Sequence, residues 1–108
     1  MKLERYGIYL ADLNPTRGSG INKTRSVVIV SADEMNAALQ TIVVCPLTTS
    51  IHPNWRNRIQ LLCAGRKAEI AVDQIRAISK ERCLKKVDQL RAAIAKELRL
   101  LISEMYGE

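Results

Sequence analysis

The sequence contains no phenylalanine, one tryptophan, three tyrosines and one histidine among 108 residues. A core without Phe has to be assembled from Val, Ile, Leu and Ala. Cysteine is sparse as well. Cys45, Cys63 and Cys83 are odd in number, and no two of them form a CxxC pair. With His52 as the sole histidine, a zinc site would need an unusual ligand set, and a His-dependent triad has little to build on. Cys45 and Cys63 sit in apolar runs and are expected as buried small hydrophobes. No apolar run approaches the roughly 18 residues of a membrane span. Met1–Arg5 lacks the apolar stretch of a signal peptide, so the chain is expected in the cytoplasm. Repeats, linkers and low-complexity segments are missing too, and the length is that of one domain, residues 1–108.

What is present is ordinary globular material: 47% apolar and 26% charged residues, which argues against disorder. Tyr6–Leu13 alternates in the manner of a strand, with Ile8 and Leu10 on one face and Tyr9, Ala11 and Leu13 on the other. Asn14–Gly20 is a loop by composition. Ser26–Ala32 is a continuous β-branched run, expected as a buried strand. Asp33 is expected to cap a short helix reaching Leu39. Thr41–Leu47 is a further buried strand, ended by Pro46 and the hydroxyls Thr48, Thr49 and Ser50. Ile51–Asn57 is a loop. Arg58–Cys63 and Ala68–Ile75 are strands about a turn at Gly65, and Ala77–Ser79 continues the second. From Asp88 to Tyr106, Leu90, Ile94, Leu98, Leu101 and Met105 form one helical stripe, with Asp88 as cap and Gly107 as stop. Five or six strands followed by one long helix imply an α+β fold: a small sheet or half-open barrel covered by a helix.

Charge is unevenly placed within a net +6. No acid lies between Asp12 and Asp33, where Arg17, Lys23 and Arg25 stand. None lies between Glu34 and Glu69, where Arg56, Arg58, Arg66 and Lys67 stand. The C-terminal helix is mixed in sign, as a solvated face would be. Two basic loops on a small barrel suit a polyanion.

Five stretches then combine: Tyr9–Ser19 (YLADLNPTRGS), Lys23-Thr24-Arg25, Val27–Val30, Pro46–Ser50 (PLTTS) and Asp73–Arg76 (DQIR). Their order and spacing resemble the MazF/PemK family of toxin ribonucleases over residues 4–103. The resemblance implies a small SH3-like, mostly antiparallel half-open barrel with a C-terminal amphipathic helix, working as a homodimer. It also implies metal-independent, sequence-selective cleavage of single-stranded RNA, no cofactor, and a cognate antitoxin as protein partner. The family's arginine at the head of the second strand falls on Arg25. Its hydroxyl after the third strand falls on Thr48. Both are implied to be catalytic. Three positions depart from the pattern. Gly20 stands where some members carry glutamate, Ser26 where proline usually follows the arginine, and Tyr6-Gly7 where Gly-Asp is usual.

The implied chemistry suits the residue pair. When a ribose 2′-OH attacks the adjacent phosphate, negative charge spreads over the non-bridging oxygens. A guanidinium presents planar, permanently charged donors to two of them, and a hydroxyl supplies a third. The same high pKa makes Arg25 a poor general base. RNA contacts are expected from the same loops. Arg17 and Lys23 would neutralise phosphates, and Trp55 among Arg56 and Arg58 would stack on a base. Gln74 and Arg76 would reach base edges, and Asn14, Thr49 and Arg56 complete the expected RNA-binding set. The alternatives are a non-catalytic toxin of the same fold that binds a protein such as DNA gyrase, and a nucleic-acid-binding barrel without activity.

Overall fold

The computed structural model describes residues 1–14 and 24–107. Strands β1 (Gly7–Asp12), β2 (Thr24–Ile29) and β3 (Thr41–Thr48) form the middle of one antiparallel sheet, with helix α1 (Asp33–Ala38) between β2 and β3. The hairpin β4 (Arg58–Cys63) and β5 (Arg66–Ala71) follows. A 3-10 turn at Val72–Gln74 leads to β6 (Arg76–Ser79), a second at Lys80–Arg82 to β7 (Cys83–Gln89), and the chain closes with α2 (Ala92–Tyr106). The order across the sheet is β4-β5-β3-β2-β1-β7, with β6 also on β3.

The length of β3 gives the sheet its curl. One edge of β3 pairs with β2. The other edge is shared, with Thr41–Val44 pairing with β6 and Leu47–Thr48 with β5. The strands therefore wrap into a half-open, SH3-like barrel. Both faces are covered along their middle, which is why Val27–Ile29 of β2 and Ile42–Leu47 of β3 are apolar without alternation. Ile8, Val28, Cys45 and Leu47 point to one side with Leu90, Ala95 and Leu98. Tyr9, Ala11, Val27, Ile29, Ile42 and Val44 point to the other. The stripe Leu90–Ile94–Leu98–Leu101–Met105 packs on the first of these layers, as its spacing demands. All three cysteines are buried and free. Burial pushes Cys45 up to about 12 and Cys83 to about 11, so neither thiol ionises near neutrality.

Several sequence expectations are corrected. The N-cap of α1 is Ala32, not Asp33, and it makes no side-chain cap bond. Asp33 is the first helical residue, and its Oδ1 accepts the Arg5 N–H at 2.8 Å. Pro46 does not end β3; it lies inside the strand, opposite Val27. The expected strand Ala68–Ile75 is cut at Val72 by the 3-10 turn, which lets β5 and β6 take different stretches of β3. Residues 83–89 form a strand that composition hides, because Leu84, Lys85 and Lys86 are exposed. That strand absorbs Asp88, so α2 begins at Ala92 with Arg91 as its N-cap. Gly107 does end α2, though in extended backbone. A Cβ there would stand 2.6 Å from the Ser103 carbonyl oxygen. The Tyr6-Gly7 departure has a steric basis: a Cβ on Gly7 would meet the buried Tyr9 ring at 2.7 Å. The Tyr9 hydroxyl ties down the N-terminus, accepting the Glu4 N–H at 3.0 Å and donating to the Lys2 carbonyl at 3.1 Å.

Candidate active site

Arg25 and Thr48 come together through strand register. Val28 opposes Cys45 and Val27 opposes Pro46. Beyond the paired stretch both strands run on to the same pocket, which Arg25 and Thr48 line together. The Arg25 guanidinium donates from Nη2 to the Leu47 carbonyl at 3.1 Å, which ties its far end beside Thr48. Both side chains are half-buried. Thr48 Oγ1 accepts the Ser50 N–H at 3.1 Å, a turn bond that orients the hydroxyl and leaves its proton for donation.

The pair lines a pocket of about 510 Å³ together with Ser26, Leu47, Thr49, Cys63, Arg66, Lys67 and Val87. Three cations and no carboxylate line it. Arg66 and Lys67 belong to this wall, although the sequence pattern placed them only in a basic window. The signal available was their position just after the Gly65 turn. Ala64 and Gly65 both take positive φ, 50° and 82°, which folds the β4–β5 tip tightly. Asp88 accepts the Ala64 N–H at 2.7 Å and pins that tip to β7. Its bonds from the Ala64 and Gln89 amides hold the Asp88 carboxyl below its ordinary range. The residue expected to cap a helix thus braces a wall of the pocket.

A second cluster forms beside the first, around Glu69, which pairs with Thr48 across β3 and β5. Glu69 is fully buried. Its oxygens accept from the His52 N–H at 2.7 Å, Gln60 Nε2 and Arg58 Nη1 at 2.8 Å each, and lie 3.1 Å from His52 Nδ1. Burial pushes its pKa up, but the His52 amide, Gln60, the His52 ring and Arg58 together outweigh that and hold it at about 2. Trp55 stacks on His52 with ring centroids 3.8 Å apart and lies 4.7 Å from the Arg58 guanidinium carbon. It is still 53% exposed. Trp55 is therefore neither a bare platform nor a core residue. Glu69, the hub of this cluster, carried no sequence signal, since an isolated glutamate in a strand is usually solvated.

The other candidates are dispersed. Thr49 is exposed at the pocket rim. Arg56 is exposed in the 51–57 loop, outside the pocket lining. Gln74 is exposed on the 3-10 turn and Arg76 is exposed at the head of β6, opposite Val44, and neither lines the pocket. Asn14 is buried two residues past the end of β1. Arg82 Nη1 donates to the Asp12 and Asn14 carbonyls at 3.0 and 2.5 Å. Arg17, Lys23 and Gly20 lie outside the described residues. Among the described residues no group of three His, Cys, Asp or Glu side chains converges as a metal cage. No helix among them is long and apolar enough to cross a membrane.

A curled antiparallel half-barrel with a C-terminal helix, and a guanidinium and a hydroxyl in a carboxylate-free cationic pocket, defines an SH3-like barrel protein with a basic pocket. Comparison with known proteins narrows that class. A family profile described as PemK-like, MazF-like toxin of type II toxin-antitoxin system matches residues 4–106, and the chain belongs to that family. It is 33% identical to a protein named endoribonuclease MazF9 from Mycobacterium tuberculosis, covering 84% of this chain and 85% of the relative. It is 29% identical to endoribonuclease MazF of Staphylococcus saprophyticus, covering 97% and 92%. The fold matches a MazE-MazF crystal structure from Deinococcus radiodurans at a TM-score of 0.83, with 15% identity over 99% of this chain and 98% of that one. A mycobacterial endoribonuclease in complex with its cognate antitoxin matches at 0.80, with 16% identity over 96% and 94%.

Proposed function

We propose that this toxin is a sequence-selective, metal-independent endoribonuclease acting on single-stranded RNA in the cytoplasm. The observation that carries the reading is Arg25 and Thr48 together in a pocket lined by three cations and no carboxylate, with Arg25 bonded to the Leu47 carbonyl beside Thr48. In the proposed reaction the ribose 2′-oxygen attacks the neighbouring phosphorus and loses its proton. The P–O5′ bond breaks, and the 5′-oxygen takes up a proton. The products are a 2′,3′-cyclic phosphate (or the 3′-phosphate after hydrolysis) and a 5′-OH end. Arg25 forks onto two non-bridging oxygens, and the Thr48 hydroxyl donates to the developing charge. Each such donor contributes on the order of 3 kcal/mol to the transition state. Arg66 and Lys67 on the facing hairpin fit flanking phosphates. Asn14, Arg17, Lys23, Thr49, Trp55, Arg56, Gln74 and Arg76 remain proposed RNA contacts.

By family membership and by its likeness to toxins solved with their antitoxins, the chain is proposed to pair with a cognate antitoxin and to act as a homodimer. A basic groove suits the acidic chain of such a partner. The test is to incubate the purified chain with a long transcript in excess EDTA and map the new ends. Discrete 5′-OH ends are expected. An intact transcript would favour a protein-binding toxin of the same fold instead.

A further inference from the structure

Among the described residues, Glu69 is the only charged residue with a fully buried side chain. A buried carboxylate is a costly choice for stability, and a well-packed apolar side chain often does as well or better. What the carboxylate adds is orientation. Each Glu69 oxygen engages two nitrogens: Oε1 the His52 amide and Gln60, Oε2 Arg58 and the His52 ring. Because an ionised carboxylate only accepts, His52 Nδ1 carries the proton in that bond. The same two side chains, His52 and Arg58, are the ones packed against the Trp55 ring. Arg58 is fixed from a second side by Asp73, at 2.9 Å from its Nε. One buried carboxylate thus sets both neighbours of the sole tryptophan, on the strand that pairs with Thr48.

We propose that Glu69 is a positioning residue for base recognition. It locks His52 and Arg58 so that His52 and Trp55 stand as a preformed column, and an unpaired RNA base stacks onto the surface the column leaves exposed. The inference rests on the endoribonuclease reading. Preorganisation is the physical gain, since a loop already ordered loses less freedom when RNA binds.

The experiment combines steady-state cleavage of a long single-stranded transcript with Trp55 emission. Glu69→Gln keeps the size and removes the charge. It is expected to shift the emission and to raise KM at least about fivefold, as loss of a base stack would. The kcat should stay within about twofold, because Arg25 and Thr48 are untouched. Trp55→Ala should raise KM similarly, and the double variant should be no worse than Trp55→Ala alone, since both changes act through one column. Additive effects on KM, or unchanged KM and emission in Glu69→Gln, would overturn the proposal. If Glu69→Gln does not fold, His52→Ala takes its place, since it removes a half-exposed ring and leaves Glu69 three donors. The same KM rise and the same non-additivity with Trp55→Ala are then expected, and additivity overturns the proposal. Wild-type protein that leaves the transcript whole sinks the endoribonuclease reading and this one with it. Wild-type cleavage with a KM indifferent to Glu69 sinks only this one.

Discussion

At the scale of single residues, Arg25 carries the most specific consequence. Arg25→Ala should lower cleavage by at least on the order of 100-fold, and Arg25→Lys should recover only part of it, because a point charge cannot fork onto two oxygens. Circular dichroism of Arg25→Ala should match wild type, since the half-buried side chain is tied among the described residues by a bond to the Leu47 carbonyl rather than packed in the core. Cleavage near the wild-type rate would remove the central assignment. Thr48 separates two roles that share one hydroxyl. Thr48→Ser keeps both the turn bond from Ser50 and the outward donor, so it should keep most of the activity. Thr48→Val loses both and should fall by about 100-fold. Trp55 is half exposed and stacked within its own loop. Trp55→Ala should therefore cost well under the roughly 3–5 kcal/mol typical of a core tryptophan, as measured by denaturant unfolding. A core-sized loss there would contradict its placement at the surface.

At the scale of elements, two devices hold the site. The first is the β4–β5 hairpin, braced by the bond between Asp88 and the Ala64 amide. Each of Arg66→Ala and Lys67→Ala should weaken RNA binding and lower the salt dependence by about 0.7 in the log–log slope, the share of one phosphate contact on a single strand. A slope unchanged in both variants would show that this wall does not face RNA. The second device is the Glu69 cluster, and it makes stability depend on acid. The folded-state pKa of Glu69, about 2, is depressed below the ordinary 4.5. Its contribution is thus fully present above about pH 4.5 and is lost as pH falls toward 2. Thermal unfolding followed across that window should show the loss in wild type and a flatter profile in Glu69→Gln. Identical profiles would mean that another carboxylate dominates.

At the scale of the whole molecule, the proposed chemistry uses fixed donors and no metal. Excess EDTA should leave cleavage unchanged, and sedimentation should report twice the chain mass if the toxin acts as a homodimer. Cleavage abolished by chelator and restored by magnesium would refute the mechanism. The same scale shows why some of the architecture is not visible along the chain. Strand β7, with Leu84, Lys85 and Lys86 exposed, has no alternation to betray it. It is a strand because Gly7, Ile8, Tyr9, Leu10 and Ala11 of β1 offer it an unpaired edge. The break at Val72 exists because β3 curls and needs two partners on one side.

Local patterning determined the elements whose side chains bury on a regular period. The continuous apolar runs in β2 and β3 demanded burial on both faces. The stripe from Leu90 to Met105 demanded one helix on a sheet. The composition of PLTTS and of the acid-free windows marked where hydroxyls and cations would concentrate. Those signals lie within a few residues of each other, so periodicity and composition suffice to find them. What needed the tertiary structure was everything set by pairing across distance. Pairing of β2 with β3 brought Arg25 and Thr48 to one pocket, and the hairpin brought Arg66 and Lys67 to it as well. Gln74 and Arg76 do not line it. Distant partners changed the character of two acids, Asp88 from helix cap to hairpin brace and the buried Glu69 from the solvated charge expected of a lone strand glutamate to the centre of the Trp55 cluster. A carboxylate's role depends on which donors surround it, and those donors come from chain segments as far apart as 17 and 24 residues, a separation at which no local pattern survives.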